Sequence, residues 1–173
     1  ALLDREAGLF AEQAAHIPTP RVAVNLGGDT RQYTVDKAMA DRDANSLTSL
    51  LDHEGRGLMI TTSRRTNKPL MDALTPIAKR DDAVVWTGDG PNPYLGFLGL
   101  AEAIIVTSDS INMVSEACST GKPVYILRLG AEPRRRAAFL EAVRERGLAR
   151  DFNGAIEIWS GSPLQETKRV ADL

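Results

Sequence analysis

The chain has 173 residues, of which 43% are hydrophobic and 25% charged, a composition typical of one soluble globular domain with a substantial core. Its formal net charge of −2 and its pI near 5.7 argue against general nucleic-acid binding, which normally requires a basic surface. A single cysteine allows no internal disulfide, and with two histidines a structural zinc site is not expected. No apolar run approaches the roughly 20 residues of a membrane span and no signal-peptide pattern is present, so we expect a cytoplasmic protein.

The first predicted element is a helix from Leu2 to Ala15, so the chain opens inside a helix. We therefore expect a piece of a longer polypeptide, in which a partner domain precedes this one. Residues 1–173 are expected to form a single domain, with residues 1–20 as a leading linker helix.

After this helix, short apolar segments alternate with amphipathic ones. The predicted strands are Arg21–Leu26, Leu58–Thr62, Ala83–Trp86, Ala103–Val106, Pro123–Leu127 and, from a weaker pattern, Ala155–Trp159. The predicted helices are Val35–His53, Pro69–Lys79, Tyr94–Ala101, Ile111–Thr120, Pro133–Arg146 and Pro163–Ala171. Such alternation is typical of right-handed βαβ units, whose helices cover both faces of a parallel sheet. We predict a three-layer, doubly wound, Rossmann-like α/β domain with a six-stranded parallel sheet in the order 3-2-1-4-5-6.

In that order a ligand crevice opens between strands 1 and 4, and polar loops follow both strands. Gly27 and Gly28 follow strand 1, where they would let a ligand approach the backbone; the alternative is an ordinary tight turn. Ser108, Asp109 and Ser110 follow strand 4 and begin a helix, whose free N–H groups suit an anion.

That helix carries polar residues at helical spacing, Asp109, Asn112 and Glu116, with Ser115 beside them. A carboxylate two turns into the helix can reach a sugar hydroxyl. We therefore predict that Glu116 binds ribose in a nucleotide or nucleotide-sugar pocket; the alternative is a solvated helix face.

The loops after strands 2 and 3 are also candidate ligand contacts. Ser63, Arg64, Arg65 and Thr66 combine two arginines with hydroxyls, a good diphosphate clamp; a solvated loop with a helix cap is the alternative. The Thr87–Tyr94 loop could hold a nucleobase through backbone groups and one stacked side chain, or serve as a rigid connector.

A basic cluster surrounds Pro133, formed by Arg128 and by Arg134–Arg136. Cations at a helix start oppose the helix dipole, which suggests an acidic ligand, protein partner or lipid headgroup. The alternative is a solvated charged face.

Several blocks of sequence resemble one known family. They are Ser63–Thr66, Asn92–Tyr94, Thr107–Ala117 and Thr120–Val124. From these blocks the chain is identified as a member of the mitochondrial-fission ELM-like family. The resemblance implies a longer chain with the two-domain GT-B architecture, of which this would be the C-terminal, nucleotide-binding half, paired with an N-terminal GT-B domain.

More distantly, Val114–Ala117 followed by Gly121–Pro123 is similar to the donor-binding helix of the peptidoglycan N-acetylglucosaminyltransferase. This similarity implies that Glu116 holds the ribose of a nucleotide-sugar and that its diphosphate lies near Ser108–Ser110. Asp109, however, falls within a pair of residues that is Ser-Gly in that enzyme.

The carboxylate of Asp109 would repel a diphosphate unless Arg64 and Arg65 compensate for its charge. The sequence does not identify catalytic residues or a metal site, and the general base would come from the N-terminal domain.

Two functions remain as hypotheses. The first is the nucleotide-sugar-binding domain of a metal-independent glycosyltransferase, in which backbone amides and an arginine stabilise the leaving group of a nucleoside-diphosphate sugar and no separate cofactor is needed. The second is a non-catalytic adaptor that uses its surface, such as Arg134–Arg136, to recruit a protein or membrane partner. The resemblance favours keeping the second, because plant members of the family are described as recruiting a dynamin-type GTPase during organelle division.

Overall fold

A parallel sheet covered by helices forms the centre of the domain. The computed structural model of the chain describes residues 1–157 and 159. Its strands are β1 Arg21–Asn25, β2 Gly57–Thr61, β3 Ala83–Trp86, β4 Ala103–Thr107, β5 Val124–Leu127 and β6 Arg150–Asp151. Its helices are α1 Leu2–Phe10, α2 Lys37–Glu54, α3 Lys68–Ala78, α4 Tyr94–Leu100, α5 Ile111–Ser119 and α6 Arg134–Glu145. All neighbouring strands are parallel in the order β3-β2-β1-β4-β5-β6, which confirms the predicted fold class and strand order.

Two predicted elements differ from the structure, and one lies outside it. Helix α1 ends at Phe10, five residues before the predicted end, and turns follow it. The sixth strand was predicted at Ala155–Trp159, which is wrong, since β6 is the short exposed segment Arg150–Asp151. The predicted helix Pro163–Ala171 lies outside the described residues.

The core lies on both faces of the sheet because alternate strand residues point to opposite sides. Ala23, Met59 and Ile104 pack with α1, α4, α5 and α6 on one face. Val22 and Ile60 face α2 and α3 on the other. Burial on both sides explains why the central strands read as continuous apolar runs.

Local sequence fixes where several helices begin and end. Asp36 accepts a hydrogen bond from the N–H of Met39 at the start of α2, and Asn67 does the same for Leu70 in α3. Helix α2 ends at Gly55, whose φ of 63° is a left-handed conformation that glycine adopts without strain. These caps place the loops before α2 and α3 at the carboxyl edge of the sheet.

Candidate functional site

The predicted site residues lie at the carboxyl edge of the sheet, where parallel strands end side by side. Asn25 in β1 pairs in register with Thr61 in β2 and with Val106 in β4. The loops that follow these strands are therefore neighbours, as the strand order predicts. They form two different regions, one closed and one open.

The closed region is the β1–β4 crevice, formed by Gly27, Gly28, Arg65, Thr107 and Asp109. The N–H of Gly27 donates to the Thr107 hydroxyl at 2.8 Å, and the N–H of Gly28 donates to Oδ2 of Asp109 at 3.2 Å. Arg65 donates to the same oxygen, with Nη2 at 2.7 Å and Nε at 3.2 Å. The Asp109 side chain is only 2% exposed, so the chain's own groups fill this crevice.

The two glycines are needed here because other atoms come too close for a side chain. A Cβ at Gly27 would overlap Oδ2 of Asp109 and lie 2.5 Å from its Cγ. A Cβ at Gly28 would overlap the carbonyl oxygen of Arg65. Both glycines are buried, and their N–H groups bond inside the protein rather than facing the solvent.

Thr66 joins the loop after β2 to the loop after β1. Its hydroxyl donates to the carbonyl of Gly27 at 2.7 Å and accepts from the N–H of Ser63 at 2.9 Å. Thr66 therefore holds the loop after β2 against the loop after β1.

The serines that follow β4 also bond within the protein. Ser108 is 2% exposed, and its hydroxyl accepts from the N–H of Leu129 at 3.2 Å. Ser110 caps α5 by accepting from the N–H of Met113 at 3.2 Å. Their predicted contact with a ligand stays a prediction, but the bonds seen here are structural.

The open region is the α4–α5 pocket, a cavity of about 660 Å³ over the ends of β1, β2 and β3. Its walls come from strand ends, the loops after them and the facing turns of α4 and α5. They are Leu26, Thr61, Thr62, Ser63, Arg64, Trp86, Thr87, Gly88, Asn92, Tyr94, Met113 and Glu116. The pocket thus combines hydroxyls, an arginine and a carboxylate with two aromatic rings.

Glu116 and Tyr94 meet across this pocket. The Tyr94 hydroxyl donates to Oε2 of Glu116 at 2.5 Å, which joins the start of α4 to the second turn of α5. Burial, and then the hydrogen bond to the Glu116 carboxylate, raise the pKa of Tyr94 above its usual value. The phenol therefore stays protonated and holds one oxygen of Glu116, while the exposed Glu116 side chain remains accessible from the pocket.

Some of the predicted site residues line the α4–α5 pocket, and others do not. Ser63, Arg64 and Glu116 line the pocket together. Asn112 is exposed and Ser115 half-buried on α5, and neither lines the pocket.

Sequence reasoning missed part of the pocket wall. Leu26, Trp86 and Met113 were not predicted as site residues, because apolar side chains at a strand end or on a helix resemble core. Tyr94 was included only as the end of a candidate loop, and its bond to Glu116 was not predicted. The strand order offered a signal for it, since α4 and α5 cover the same face of the sheet.

The basic cluster at α6 is partly neutralised by neighbouring acids. Arg128 pairs with Glu132 and, at 3.2 Å, with Asp151. Arg134 and Arg135 are exposed at the first turn of α6.

Residues 1–157 and 159 contain neither a candidate metal site nor a candidate membrane span. No group of three or more histidine, cysteine or acidic side chains is placed to hold a metal ion. No helix in this part of the chain is long and apolar enough to cross a membrane.

A family model described as mitochondrial fission ELM1 matches residues 1–173. The chain belongs to the mitochondrial fission ELM1 family. It is 34% identical over 175 residues to the Mitochondrial fission protein ELM1 of Arabidopsis thaliana, covering 99% of this chain and 41% of that protein. It is 31% identical over 158 residues to an uncharacterized protein of Rickettsia prowazekii (strain Madrid E), covering 87% of this chain and 45% of that one. The chain thus spans less than half the length of both relatives.

Solved structures share the fold at low sequence identity. A Listeria monocytogenes protein assigned as a UDP-N-acetylglucosamine 2-epimerase is 14% identical, with a TM-score of 0.54 over 95% of this chain and 39% of its own. A UDP-GlcNAc 2-epimerase from Neisseria meningitidis bound to UDP-GlcNAc is 15% identical, with a TM-score of 0.50 over 88% and 40%. A family 9 glycosyl transferase from Veillonella parvula is 14% identical, with a TM-score of 0.51 over 99% and 50%. These similarities support the GT-B-like fold of the domain and nothing finer.

Proposed function

We propose that this domain binds a nucleotide sugar, with the nucleoside part in the α4–α5 pocket and the ribose hydroxyls on Glu116. The observation that carries the proposal is the Glu116 carboxylate, which lies on the wall of the cavity and is held there by Tyr94. One of its oxygens accepts from the phenol. The remaining acceptor sites of the carboxylate suit the two adjacent hydroxyls of a ribose.

The size and lining of the pocket support a nucleoside. Its volume of about 660 Å³ lies within the range of roughly 300–1,000 Å³ that is usual for small-molecule sites. Trp86 and Tyr94 put two aromatic rings on the pocket wall, which suits a stacked base, and the hydroxyl of Ser63 suits a hydrogen bond to it. Arg64, on the same wall, is exposed and supplies a positive charge near the mouth.

The similar structures make nucleotide sugars the first ligands to test. Two of them are described as UDP-N-acetylglucosamine 2-epimerases, one with UDP-GlcNAc bound, and the third as a glycosyl transferase. For this chain a metal-independent transferase reaction remains a proposal, with the general base supplied by the second domain of a GT-B protein. The cytoplasmic location expected from the sequence also stays a prediction.

Calorimetric titration of the intact protein with UDP-, GDP- and CMP-sugars tests the ligand proposal. We expect at least one to bind, and Glu116→Ala to weaken that binding by about tenfold or more, because a charged hydrogen-bond acceptor is lost. The matched control is Glu145→Ala, which removes an exposed glutamate from α6 and should leave the affinity unchanged. If no nucleotide sugar binds, or if Glu116→Ala binds as tightly as the wild type, the site assignment fails.

The alternative function is an adaptor that keeps the fold and recruits a partner through its surface. The 34% identity to the Arabidopsis thaliana Mitochondrial fission protein ELM1 favours this reading, as do the exposed Arg134 and Arg135. An adaptor does not need the Glu116 carboxylate but depends on its surface, whereas a nucleotide-sugar-binding domain depends on the carboxylate in the pocket.

Replacement of Arg134, Arg135 and Arg136 by glutamine tests the adaptor. If the domain is an adaptor, the partners that the wild type captures in a pull-down should be lost from this variant but retained by Glu116→Ala. Partners that survive the triple replacement would remove the basic cluster from consideration.

A further inference from the structure

The Asp109 carboxylate occupies a position with the features of an anion-binding site. A backbone N–H from Gly28 and the guanidinium of Arg65 converge on its Oδ2, at distances of 2.7–3.2 Å. The carboxylate lies just before α5, on the side where free N–H groups of a helix favour negative charge. A phosphate oxygen would use the same donors in the same place.

The burial of this carboxylate is unusual for a purely structural group. The Asp109 side chain is only 2% exposed. Its Oδ1 atom is buried and has no hydrogen-bond partner. A buried acceptor without a partner costs stability. Gly27 provides the space, since any side chain there would overlap the carboxylate.

The crevice also adjoins the α4–α5 pocket. Gly27 follows Leu26, and Arg65 follows Arg64, and both of these preceding residues line the pocket. Phosphates attached to a nucleoside in that pocket would therefore lie beside the crevice that the Asp109 carboxylate fills.

We propose that Asp109 is a specificity-determining residue that takes the anion position of the site and removes the affinity a diphosphate would add. The ligand class in this statement rests on the proposed function. Recognition of a nucleotide sugar then depends on its nucleoside and sugar, and a nucleoside diphosphate binds no more tightly than its nucleoside. Removal of the Asp109 carboxylate, and not of its charge alone, frees Arg65 and the Gly28 N–H for phosphate.

Titration with inorganic pyrophosphate tests this directly, because pyrophosphate needs only the anion position. The intact wild-type protein should not bind it measurably. Asp109→Ser, and Asp109→Ala as a second variant, remove the group that fills the crevice and should bind it at least about tenfold more tightly than the wild type. The double variant Asp109→Ser with Arg65→Gln should lose the gain, which identifies Arg65 as the cation. Thermal unfolding of each variant checks that it is folded.

Matched pairs of uridine and UDP, guanosine and GDP, and cytidine and CDP extend the test to the pocket. In the wild type the two members of the pair that binds should have similar affinities, and in Asp109→Ser the diphosphate should gain by the same factor as pyrophosphate. Pyrophosphate binding by the wild type, or no gain in either folded variant, overturns the role of Asp109. A pyrophosphate gain without binding of any nucleoside or nucleotide sugar keeps that role and sinks the proposed function instead.

Discussion

The β1–β4 crevice and the α4–α5 pocket lie at the same edge of one sheet, yet they use their polar residues in opposite ways. In the crevice, the N–H groups of Gly27 and Gly28 and the guanidinium of Arg65 bond to Thr107 and Asp109. In the pocket, hydroxyls, Arg64 and Glu116 line an open cavity. Polar residues at strand ends are therefore ligand candidates only where packing leaves them space.

The largest effect should come from Gly27→Ala in the crevice. The new methyl group would overlap the Asp109 carboxylate, so we expect the free energy of unfolding to fall by about 3 kcal/mol, as for overpacked cores. The matched control is Gly8→Ala in α1, where a new Cβ would have no atom from outside its own helix within 4 Å. Alanine there should raise the free energy of unfolding by roughly 0.5–1 kcal/mol. Denaturant unfolding measures both. Equal stability of Gly27→Ala and wild type would show that the carboxylate does not fill the crevice.

The next largest contrast in stability should be between variants of the adjacent Arg65 and Arg64. Arg65→Ala leaves the buried Asp109 carboxylate without its cationic partner, and we expect the free energy of unfolding to fall by about 2 kcal/mol, less than for a fully buried pair because Arg65 is 45% exposed. Arg64→Ala, on the pocket wall, should change stability by less than about 0.5 kcal/mol. Similar losses in the two variants would break the contrast between crevice and pocket.

The smallest effect concerns Tyr94 and alkaline pH. The pKa of Tyr94 is raised in the folded protein, whereas in the unfolded chain the phenol ionises near pH 10. The unfolded state therefore releases a proton that the folded state keeps, and stability present below about pH 10 is lost as the pH rises further. We expect the free energy of unfolding to fall more steeply between about pH 10 and 11 in the wild type than in Tyr94→Phe. Parallel pH profiles of urea unfolding would argue against the burial of the Tyr94 phenol and its hydrogen bond to Glu116.

The sequence predicted most of the fold because its strands are buried on both faces. Segments such as Ala103–Val106 carry an apolar pattern that needs no tertiary information, and five such segments alternating with helices indicate a doubly wound parallel sheet. β6 carries no such pattern, since it is two exposed polar residues at the sheet edge. The apolar residues near it were mistaken for the strand. Ile156 is buried and Trp159 packs beside Tyr125, with ring centroids 5.3 Å apart, so they cover the edge without joining the sheet.

The sheet edge at which the polar loops meet was predictable from the sequence, but the contacts between those loops were not. Strand order placed the polar loops together, and Ser63, Arg64 and Glu116 do share a pocket. Which donors turn inward depends on distances of a few ångströms between loops far apart in sequence, such as the 3.2 Å from the Gly28 N–H to Asp109. The Tyr94 bond to Glu116 likewise depends on how α4 and α5 pack, and no short motif encodes it.

The separation of core from edge has a consequence for how this scaffold can diversify. The two core clusters hold the sheet and helices together, whereas the pocket walls are mostly short loops and first helical turns. Substitution of a few edge residues can change what is bound at little cost to the scaffold, which is how one architecture comes to serve many chemistries. Structures described as two epimerases and a glycosyl transferase share the fold of this chain at only 14–15% identity.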